Sequence, residues 1–308
     1  MSPYFAPVVV FAYKRHEELM ACIGSLEKCK GASQTPLYIF SDGARGEKDQ
    51  AGVAKVREFI QTVKGFESVS YFFSPQNNGL GKSIIQGVNQ VLESYPSVIV
   101  LEDDLVPSRN FLQFMNQGLG IYETNKKIFS ITGYNYPFRI KNNEPYDTYF
   151  LPRPCSTGWG TWKDRWTAID WEVKDFAEFK KNREAVRDFN KAGSDIFNML
   201  DRQQRGVIDS WAVRWAYNQW KTGSLTAYAT VSKIKNIGFS GDSSNTNIYN
   251  KYASKLDPGD KNNFQFPEHV GLDPFYHRQL LGFFSLKTRI KNRILTYLCR
   301  LGLIKNKS

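Results

Sequence analysis

The sequence predicts an α/β protein with a central, mostly parallel sheet that is flanked by helices. Short apolar segments rich in β-branched residues alternate with helix-length amphipathic segments through the first 110 residues. This alternation is typical of successive β-α units, which have parallel strands and right-handed crossovers, so we expect a Rossmann-like half. A length of 308 residues with 41% hydrophobic and 15% aromatic content is typical of a globular protein with a large core and excludes a disordered chain.

Four strands and three helices are predicted in this first half. The strands are expected at 7–11, 37–40, 69–73 and 98–101, and the helices between them at 17–29, 49–63 and 82–94. Arg15 follows the first strand, Asp42 follows the second, and Lys82 opens the helix after the third. Because ligands bind at the carboxyl ends of strands in an open α/β sheet, these residues are candidates for a nucleotide site.

Three adjacent carboxylates, Glu102, Asp103 and Asp104, follow the fourth strand directly. Neighbouring carboxylates repel one another, so a fold that keeps them together needs a neutralising group. Oxygen ligands at a strand end suit Mg²⁺ or Mn²⁺ that carries the phosphates of a substrate. The alternative is a solvated acidic turn, which the apolar segments on both sides of the acids disfavour.

The segment 77–83, NNGLGKS, ends like a phosphate-binding P-loop, but the position five before Gly81 is Gln76 and not glycine. The P-loop interpretation therefore fails. What remains is a glycine-rich turn into a helix N-terminus, which is either a place for an anion or a plain helix start.

The second half is less regular. A helix is predicted at 111–122 and strands at 128–133 and 223–231, with charged helical sequence over 172–204. In the Trp- and Gly-rich segment 149–166, two interpretations stay open. Either the tryptophans pack a buried loop, or Gly158 and Gly160 admit a sugar while Trp159 and Trp162 offer stacking faces.

Asp209 precedes a predicted helix that carries a tryptophan stripe. It is either the N-cap of that helix or a base that faces a cleft. The segment 238–247, GFSGDSSNTN, has no apolar residue after Phe239 and is predicted to be a loop that acts as a lid.

The net charge of +11 is concentrated at one end of the chain. Residues 286–308 hold seven basic residues and no acid, which leaves 11 − 7 = 4 charges for the other 285 residues and disfavours nucleic-acid binding. Apolar residues recur in this tail at steps of three and four and predict a basic amphipathic helix, either docked on the domain or lying on an anionic membrane surface. The stripe comprises Leu286, Ile290, Ile294, Tyr297, Leu301 and Ile304.

The sequence also bears on the compartment. No apolar run approaches the roughly 20 residues of a membrane span, and the N-terminal segment lacks the basic region of a signal peptide. The four cysteines form no CxxC pair, which favours free thiols in a reducing compartment. We expect a cytoplasmic protein, peripheral on the cytoplasmic face of the membrane if the basic helix binds lipid.

Several segments together resemble the GT-A glycosyltransferases, most closely the family 2 type and, in the second half, N-acetylglucosaminyltransferase I. These segments are VVVFAYKR, IFSDG, NNGLGKS, VIVLEDDL, STGWGTW, VIDSWAVRW and NIGFSGD, and they cover roughly residues 7–245. The resemblance implies a GT-A catalytic domain over 1–250, with a nucleotide-sugar half over 1–110 and an acceptor-side α+β half over 111–250. A C-terminal extension over 251–308 would carry the basic amphipathic helix.

The resemblance also implies roles for single residues. Asp104 would bind Mn²⁺ or Mg²⁺, and Glu102 and Asp103 would contact the donor sugar and ribose. Asp42 would hold the nucleobase, with Arg15 and Lys82 near base or phosphates. Asp209 would be the catalytic base. The candidates for contact with the acceptor sugar, Gly158 and Trp159, come instead from the residue types of the Trp- and Gly-rich segment. Many members add a late histidine as a metal ligand, whereas segment 238–247 has none.

The implied activity is metal-dependent, inverting transfer of a hexosyl or N-acetylhexosaminyl group. The donor would be a UDP- or GDP-sugar, and the acceptor a glycan or a lipid-linked glycan. A sugar nucleotidyltransferase is one alternative, but it usually needs a glycine-rich basic loop near the first strand, and YKRHEEL is not one. The other alternative, a non-catalytic carbohydrate- or nucleotide-binding protein, is disfavoured by the acid triplet together with Asp209.

Overall fold

The computed structural model describes residues 5–239 and 249–304. The strands in this part of the chain are β1 Val8–Ala12, β2 Pro36–Ser41, β3 Ser68–Phe73, β4 Ser97–Glu102, β5 Leu105–Pro107, β6 Ile128–Thr132, β7 Thr148–Leu151, β8 Trp159–Trp162, β9 Leu225–Ala229 and β10 Ile234–Asn236. The helices are α1 His16–Leu26, α2 Glu47–Ile60, α3 Leu80–Ser94, α4 Phe111–Ile121, α5 Lys163–Thr167, α6 Phe176–Lys181, α7 Arg183–Phe189, α8 Ile196–Gln204, α9 Trp211–Lys221, α10 Pro274–Phe283 and α11 Leu286–Arg300.

Eight strands form one sheet in the order β3-β2-β1-β4-β8-β6-β9-β7. The pairs β3–β2, β2–β1, β1–β4 and β6–β9 are parallel, and the remaining three pairs are antiparallel. Helices cover both faces of the sheet. The predicted α/β class, with a central, mostly parallel sheet flanked by helices, is confirmed.

The alternation of side chains along β1 explains why both faces are covered. Val8 and Val10 are fully buried in a cluster with α1, α2 and α4, whereas Val9 is fully buried in a second cluster with α3 and several tryptophans. A strand that is buried on both faces reads as a continuous apolar run, as in this first strand.

The register of the sheet brings the predicted site residues together. Phe11 of β1 pairs with Glu102 of β4 in a parallel ladder, so the chain leaves both strands at the same edge. Ser41 of β2 pairs with Ala12 and lies at that edge as well. The acid triplet, the segment with Arg15 and the segment with Asp42 therefore start side by side.

The strand β8 is the main departure from the predicted elements. The Trp- and Gly-rich segment, expected to be a loop, contains a central antiparallel strand between β4 and β6. Gly160 pairs with Ile99, and a Cβ at Gly160 would lie 2.9 Å from the carbonyl oxygen of Val98 and 3.2 Å from Met115 of α4. The glycine thus allows α4 to pack closely on the middle of the sheet.

The C-terminal part packs against the rest of the chain, and its last helix does so without a buried residue. Phe264 and Phe266 join the same core as Phe114, and Tyr276 and Leu280 of α10 join a tyrosine-rich cluster next to β7. No residue of α11 is buried. The division into a domain over 1–250 and an extension over 251–308 stays a prediction.

Three further sequence-based expectations concern the lid, membrane spans and the cysteines. The predicted lid, 238–247, lies outside the described residues from position 240 onward. Across residues 5–239 and 249–304, no helix has both the length and the apolar character that a membrane crossing requires. The four cysteines are free.

Candidate active site

A pocket of about 750 Å³ opens at the carboxyl ends of β1, β2 and β4. We call it the sheet-edge pocket, and its volume is within the range of small-molecule sites. Phe11, Phe40 and Phe72 form an aromatic side of the pocket. The ring centroids of Phe11 and Phe40 are 5.5 Å apart, and those of Phe40 and Phe72 are 4.8 Å apart. The acids Glu102, Asp103 and Asp104 line its charged side together with Arg15 and Arg45.

Arg15 is the group that neutralises the acids. Its Nη1 donates to Asp104 Oδ2 at 2.9 Å, and its Nη2 donates to Asp103 Oδ1. Asp103 also accepts the backbone N–H of Tyr13 at 3.3 Å, so the segment after β1 is held directly against the acids. Both aspartates are nearly fully buried, and their ion pairs with Arg15 explain how they share one strand end.

The electrostatics of the acids follow from burial and crowding. Burial raises the pKa of Glu102 to about 8, and repulsion by Asp104 and Asp103 adds to the increase. Burial raises the pKa of Asp103 to about 6, against the lowering effect of Arg15. Burial alone would lower the pKa of Arg15, but Asp103 and Asp104 outweigh it and raise that pKa. The site therefore disfavours uncompensated negative charge and favours cations.

Asp104, the predicted metal ligand, fits a metal as one member of a larger ligand set. Among residues 5–239 and 249–304, no three His, Cys, Asp or Glu side chains are grouped so that they would hold a metal by themselves. Mg²⁺ is usually bound by one or two carboxylates, water and substrate phosphates. Asp104 fits this pattern if the phosphates of a bound nucleotide complete the site.

Asp42 lines the pocket, but its carboxylate also accepts hydrogen bonds from the backbone. Its Oδ1 accepts the backbone N–H of Gly43 at 3.0 Å and of Asn78 at 2.8 Å, and its Oδ2 accepts that of Gly79 at 3.0 Å. The carboxylate thus fastens the glycine-rich turn that leads into α3. A nucleobase would have to use the acceptor capacity that these bonds leave.

Of the two cations predicted for the pocket, Arg15 lines it and Lys82 does not. Lys82 is exposed on α3 and does not line the pocket, whereas Lys14 and Arg45 do. Lys14 bonds Asp49 at 2.6 Å, and the hydroxyl of Tyr13 donates to Asp49 at 2.7 Å while accepting the N–H of Arg45 at 2.9 Å. Sequence reasoning missed Arg45, although it follows Asp42 by three positions at the same strand end.

Asp209 lies at the edge of the same region. A Cβ at Gly81 in the first turn of α3 would lie 3.4 Å from Asp209 Oδ1, and the neighbours Gly79 and Leu80 line the sheet-edge pocket. The N-cap of α9 is Ser210, so the capping role considered for Asp209 is wrong. The carboxylate is 70% exposed and lies 3.9 Å from Arg214 Nη2. Most of its surface is therefore accessible to a ligand.

The predicted sugar contacts at Gly158 and Trp159 do not lie in either pocket described here. Trp159 is 1% exposed, and its ring packs on Trp166, Trp211 and Trp215 at centroid distances of 5.3, 5.5 and 4.6 Å. Gly158 has a φ of +56°, and a Cβ there would lie 2.5 Å from Ile234. The interpretation as packed tryptophans is correct for Trp159, because its faces are covered by other rings.

A second cavity of about 290 Å³ lies beside the first, and we call it the tyrosine pocket. Its lining includes Tyr134, Tyr136, Tyr252, Arg153, Ala212 and Asn236. Burial raises the pKa of Tyr252 to about 12, so its hydroxyl keeps its proton at neutral pH. The Arg153 guanidinium bonds both oxygens of Asp195 at 2.9 and 3.0 Å, which keeps its charge compensated.

The two pockets meet at residues 236–239. The N–H of Ile237 donates to the carbonyl oxygen of Asp104 at 2.9 Å, whereas Asn236 and Phe239 line the tyrosine pocket. A Cβ at Gly238 would overlap Asp104 Oδ2 and lie 2.9 Å from Arg15 Nη1. Segment 236–239 therefore contacts residues of both pockets.

Comparisons with known proteins give only distant matches. No protein-family model matches the chain, and no curated protein matches it either. Among solved structures, the chain is similar to residues 1–349 of TarS from S. aureus, with 8% identity and a TM-score of 0.41 over 75% of this chain and 60% of that one. The chain therefore spans less than two thirds of that TarS structure.

Two other solved structures resemble the chain at a similar distance. The mannosyltransferase PcManGT from Pyrobaculum calidifontis, in complex with GDP-Man and Mn²⁺, has 10% identity and a TM-score of 0.36, covering 52% of this chain and 46% of that one. The galactosyltransferase LgtC, in complex with donor and acceptor sugar analogues, has 13% identity and a TM-score of 0.37, covering 72% of this chain and 73% of that one. All three likenesses are distant, with TM-scores below 0.5 and identities of 13% or less.

Proposed function

We propose that the chain is an inverting, metal-dependent glycosyltransferase. It would transfer a hexosyl or N-acetylhexosaminyl group from a UDP- or GDP-sugar in the sheet-edge pocket to a hydroxyl of a glycan or lipid-linked acceptor. We also propose that it works in the cytoplasm, at the membrane face where a lipid-linked acceptor would be.

One observation carries this proposal. Asp209 lies at Gly81 beside the sheet-edge pocket, and the helix that it precedes lines the tyrosine pocket through Ala212. Asp209 itself lines neither pocket, but an exposed carboxylate beside the first turn of α3 and ahead of α9 is suited to a reaction between ligands in the two pockets. The cationic and acidic groups of the sheet-edge pocket suit the phosphate-bearing ligand, and the tyrosine hydroxyls and rings suit a sugar.

The chemistry that follows is a single displacement. Arg15, Lys14 and Arg45 supply positive charge for the diphosphate, and Asp104 would hold the metal against it. Held there by Asp104, a divalent metal would supply positive charge against the negative charge that develops on the leaving diphosphate. Asp209 takes the proton of the acceptor hydroxyl as its oxygen bonds to the anomeric carbon and the bond to the phosphate oxygen breaks. Attack from the opposite face inverts the anomeric carbon.

The tyrosine pocket is the proposed acceptor site. Its volume of about 290 Å³ is sufficient for part of a sugar acceptor, and its aromatic lining is of the kind on which sugar rings pack. Arg153 and Asn236 add polar contacts for hydroxyl groups. This assignment replaces Gly158 and Trp159, whose surroundings leave no room for a sugar.

A panel of UDP- and GDP-sugars incubated with the protein and Mn²⁺ tests the function. We expect slow donor hydrolysis with release of UDP or GDP from one donor, and faster release once a suitable acceptor is added. Formation of a nucleotide-sugar and pyrophosphate from a nucleoside triphosphate and a sugar 1-phosphate would instead identify a nucleotidyltransferase. Donor binding without turnover in the presence of glycan acceptors would identify a binding protein.

A further inference from the structure

The helix α11 turns its apolar side chains away from the protein. Four residues of one stripe are about half exposed or more: Leu286 at 61%, Ile290 at 49%, Ile294 at 56% and Tyr297 at 63%. Leu301 continues the stripe at the end of the helix and is also exposed. A surface helix of a globular protein normally turns such a stripe toward the core.

The opposite face of α11 makes the contacts with the rest of the chain, and these contacts include hydrogen bonds. Thr288 donates its hydroxyl to the carbonyl oxygen of Gly282 at 2.7 Å, and the hydroxyl of Thr296 accepts the N–H of Tyr249 at 3.2 Å. Arg289 donates to Ser194 Oγ at 3.3 Å. The apolar stripe therefore does not face the domain, and the side of α11 that does carries Thr288, Arg289 and Thr296 together with the half-buried Leu295 and Leu298.

The charge of the exposed surface indicates what covers the stripe. Lys287, Lys291, Arg293 and Arg300 are exposed on the same helix, and the sequence has no acid from position 286 to its end. Basic residues beside an apolar stripe are typical of helices that lie in the surface of an anionic membrane. At 15 residues the helix is about 22 Å long, shorter than the roughly 30 Å of a bilayer core, so it suits the interface.

We propose that α11 binds an anionic lipid bilayer, with its apolar stripe in the boundary between headgroups and acyl chains and its basic residues at the lipid phosphates. A second copy of the chain is a poorer partner, because stripe-to-stripe packing would bring together two helices that carry only positive charges. The proposal goes beyond the proposed sugar transfer and does not rest on it, since lipid binding requires neither donor nor acceptor.

Flotation with vesicles tests the proposal on the full chain. We expect binding to vesicles of phosphatidylglycerol and phosphatidylcholine at low salt, much weaker binding to pure phosphatidylcholine, and release as the salt concentration rises. The double variant Ile290→Ser with Ile294→Ser should lower the partition coefficient at least tenfold, because apolar area no longer leaves water. The triple variant Lys287→Gln, Lys291→Gln and Arg293→Gln should lower it by roughly a hundredfold.

The matched control is Ile121→Ser with Val207→Ser, which removes two equally exposed apolar side chains elsewhere on the surface. It should bind vesicles like the parent, and circular dichroism of each variant checks that the fold is retained. Equal binding by the stripe variant and the control would overturn the proposal. So would a concentration-dependent dimer in sedimentation velocity that the stripe variant abolishes, which would assign the stripe to a second copy.

Discussion

A single arginine allows the acids at the end of β4 to coexist. Arg15 bonds Asp103 and Asp104 at once, and removing it would leave Asp103 buried without a counter-charge. Buried charges that lose a partner are strongly destabilising, whereas intact pairs contribute little net stability. The buried acids are thus better explained by a role in ligand binding than by a contribution to the stability of the fold.

Replacing Asp104 tests the metal role. Asp104→Asn keeps the size of the side chain and one oxygen that can accept from Arg15, so we expect the fold to survive. We predict that Mn²⁺-dependent binding of UDP or GDP, measured by titration calorimetry, falls to the level seen without metal. The control Asp260→Asn removes an exposed acid that lines neither pocket and should bind normally. Unchanged metal-dependent binding by Asp104→Asn would refute the assignment.

Replacing Asp209 separates chemistry from stability. Because Ser210 and not Asp209 is the N-cap of α9, Asp209→Asn should unfold at nearly the parent temperature. Loss of a general base typically lowers the rate by ~10²–10⁴, so transfer should fall by that factor while donor affinity stays unchanged. A variant with normal transfer would show that the proton goes elsewhere.

At the scale of an element, β8 depends on having no side chain at one position. In Gly160→Ala, the new Cβ would press on the Val98 carbonyl oxygen and on Met115. We predict a loss of about 1–3 kcal/mol in the free energy of unfolding, measured by denaturant titration. The matched control is Gly120→Ala in α4, where nothing lies within 4 Å and the change should stabilise by about 0.5–1 kcal/mol. Equal effects of the two changes would contradict this account of the strand.

The turn before α3 depends on Asp42 in a similar way. The carboxylate accepts hydrogen bonds from three backbone N–H groups, and Asp42→Ala would leave all three without this acceptor. We predict a loss of about 1–3 kcal/mol in unfolding free energy, since hydrogen bonds to charged groups are the stronger ones. Asp42→Asn keeps one oxygen and should lose less. If both variants unfold like the parent while nucleotide binding falls, the residue acts on the ligand alone.

At the scale of the whole molecule, ligand binding should be measurable as stability. A nucleoside diphosphate with Mn²⁺ at 100 times its Kd would add ~2.7 kcal/mol to the free energy of unfolding. For a chain of this size we expect a rise in melting temperature of about 5 °C. Chelation of the metal by EDTA should remove the rise. A rise that persists in EDTA would mean that Arg15 and its neighbours hold the diphosphate without metal.

The sequence by itself determined the elements whose burial pattern is local. Apolar runs such as Val8–Val10 and apolar steps of three and four such as those of α3 indicate strand or helix without knowledge of the partner. The adjacency of Asp104 and Arg15 followed from the predicted order of strands and helices, because parallel strands with short crossovers bring their carboxyl ends to one edge of the sheet. The class of the fold and the centre of the candidate site were therefore predictable.

Only the tertiary structure decided the features that depend on distant partners. Segment 159–162 is a strand because β4 and β6 flank it, and two tryptophans and a glycine carry no local signal for that. Lys82 lies outside the pocket and Trp159 is buried in the core. The sequence positions of the two residues were equally compatible with both of them contacting a ligand. The direction of the stripe on α11 was equally undetermined, because periodicity defines two faces of a helix and only packing selects which one meets the protein.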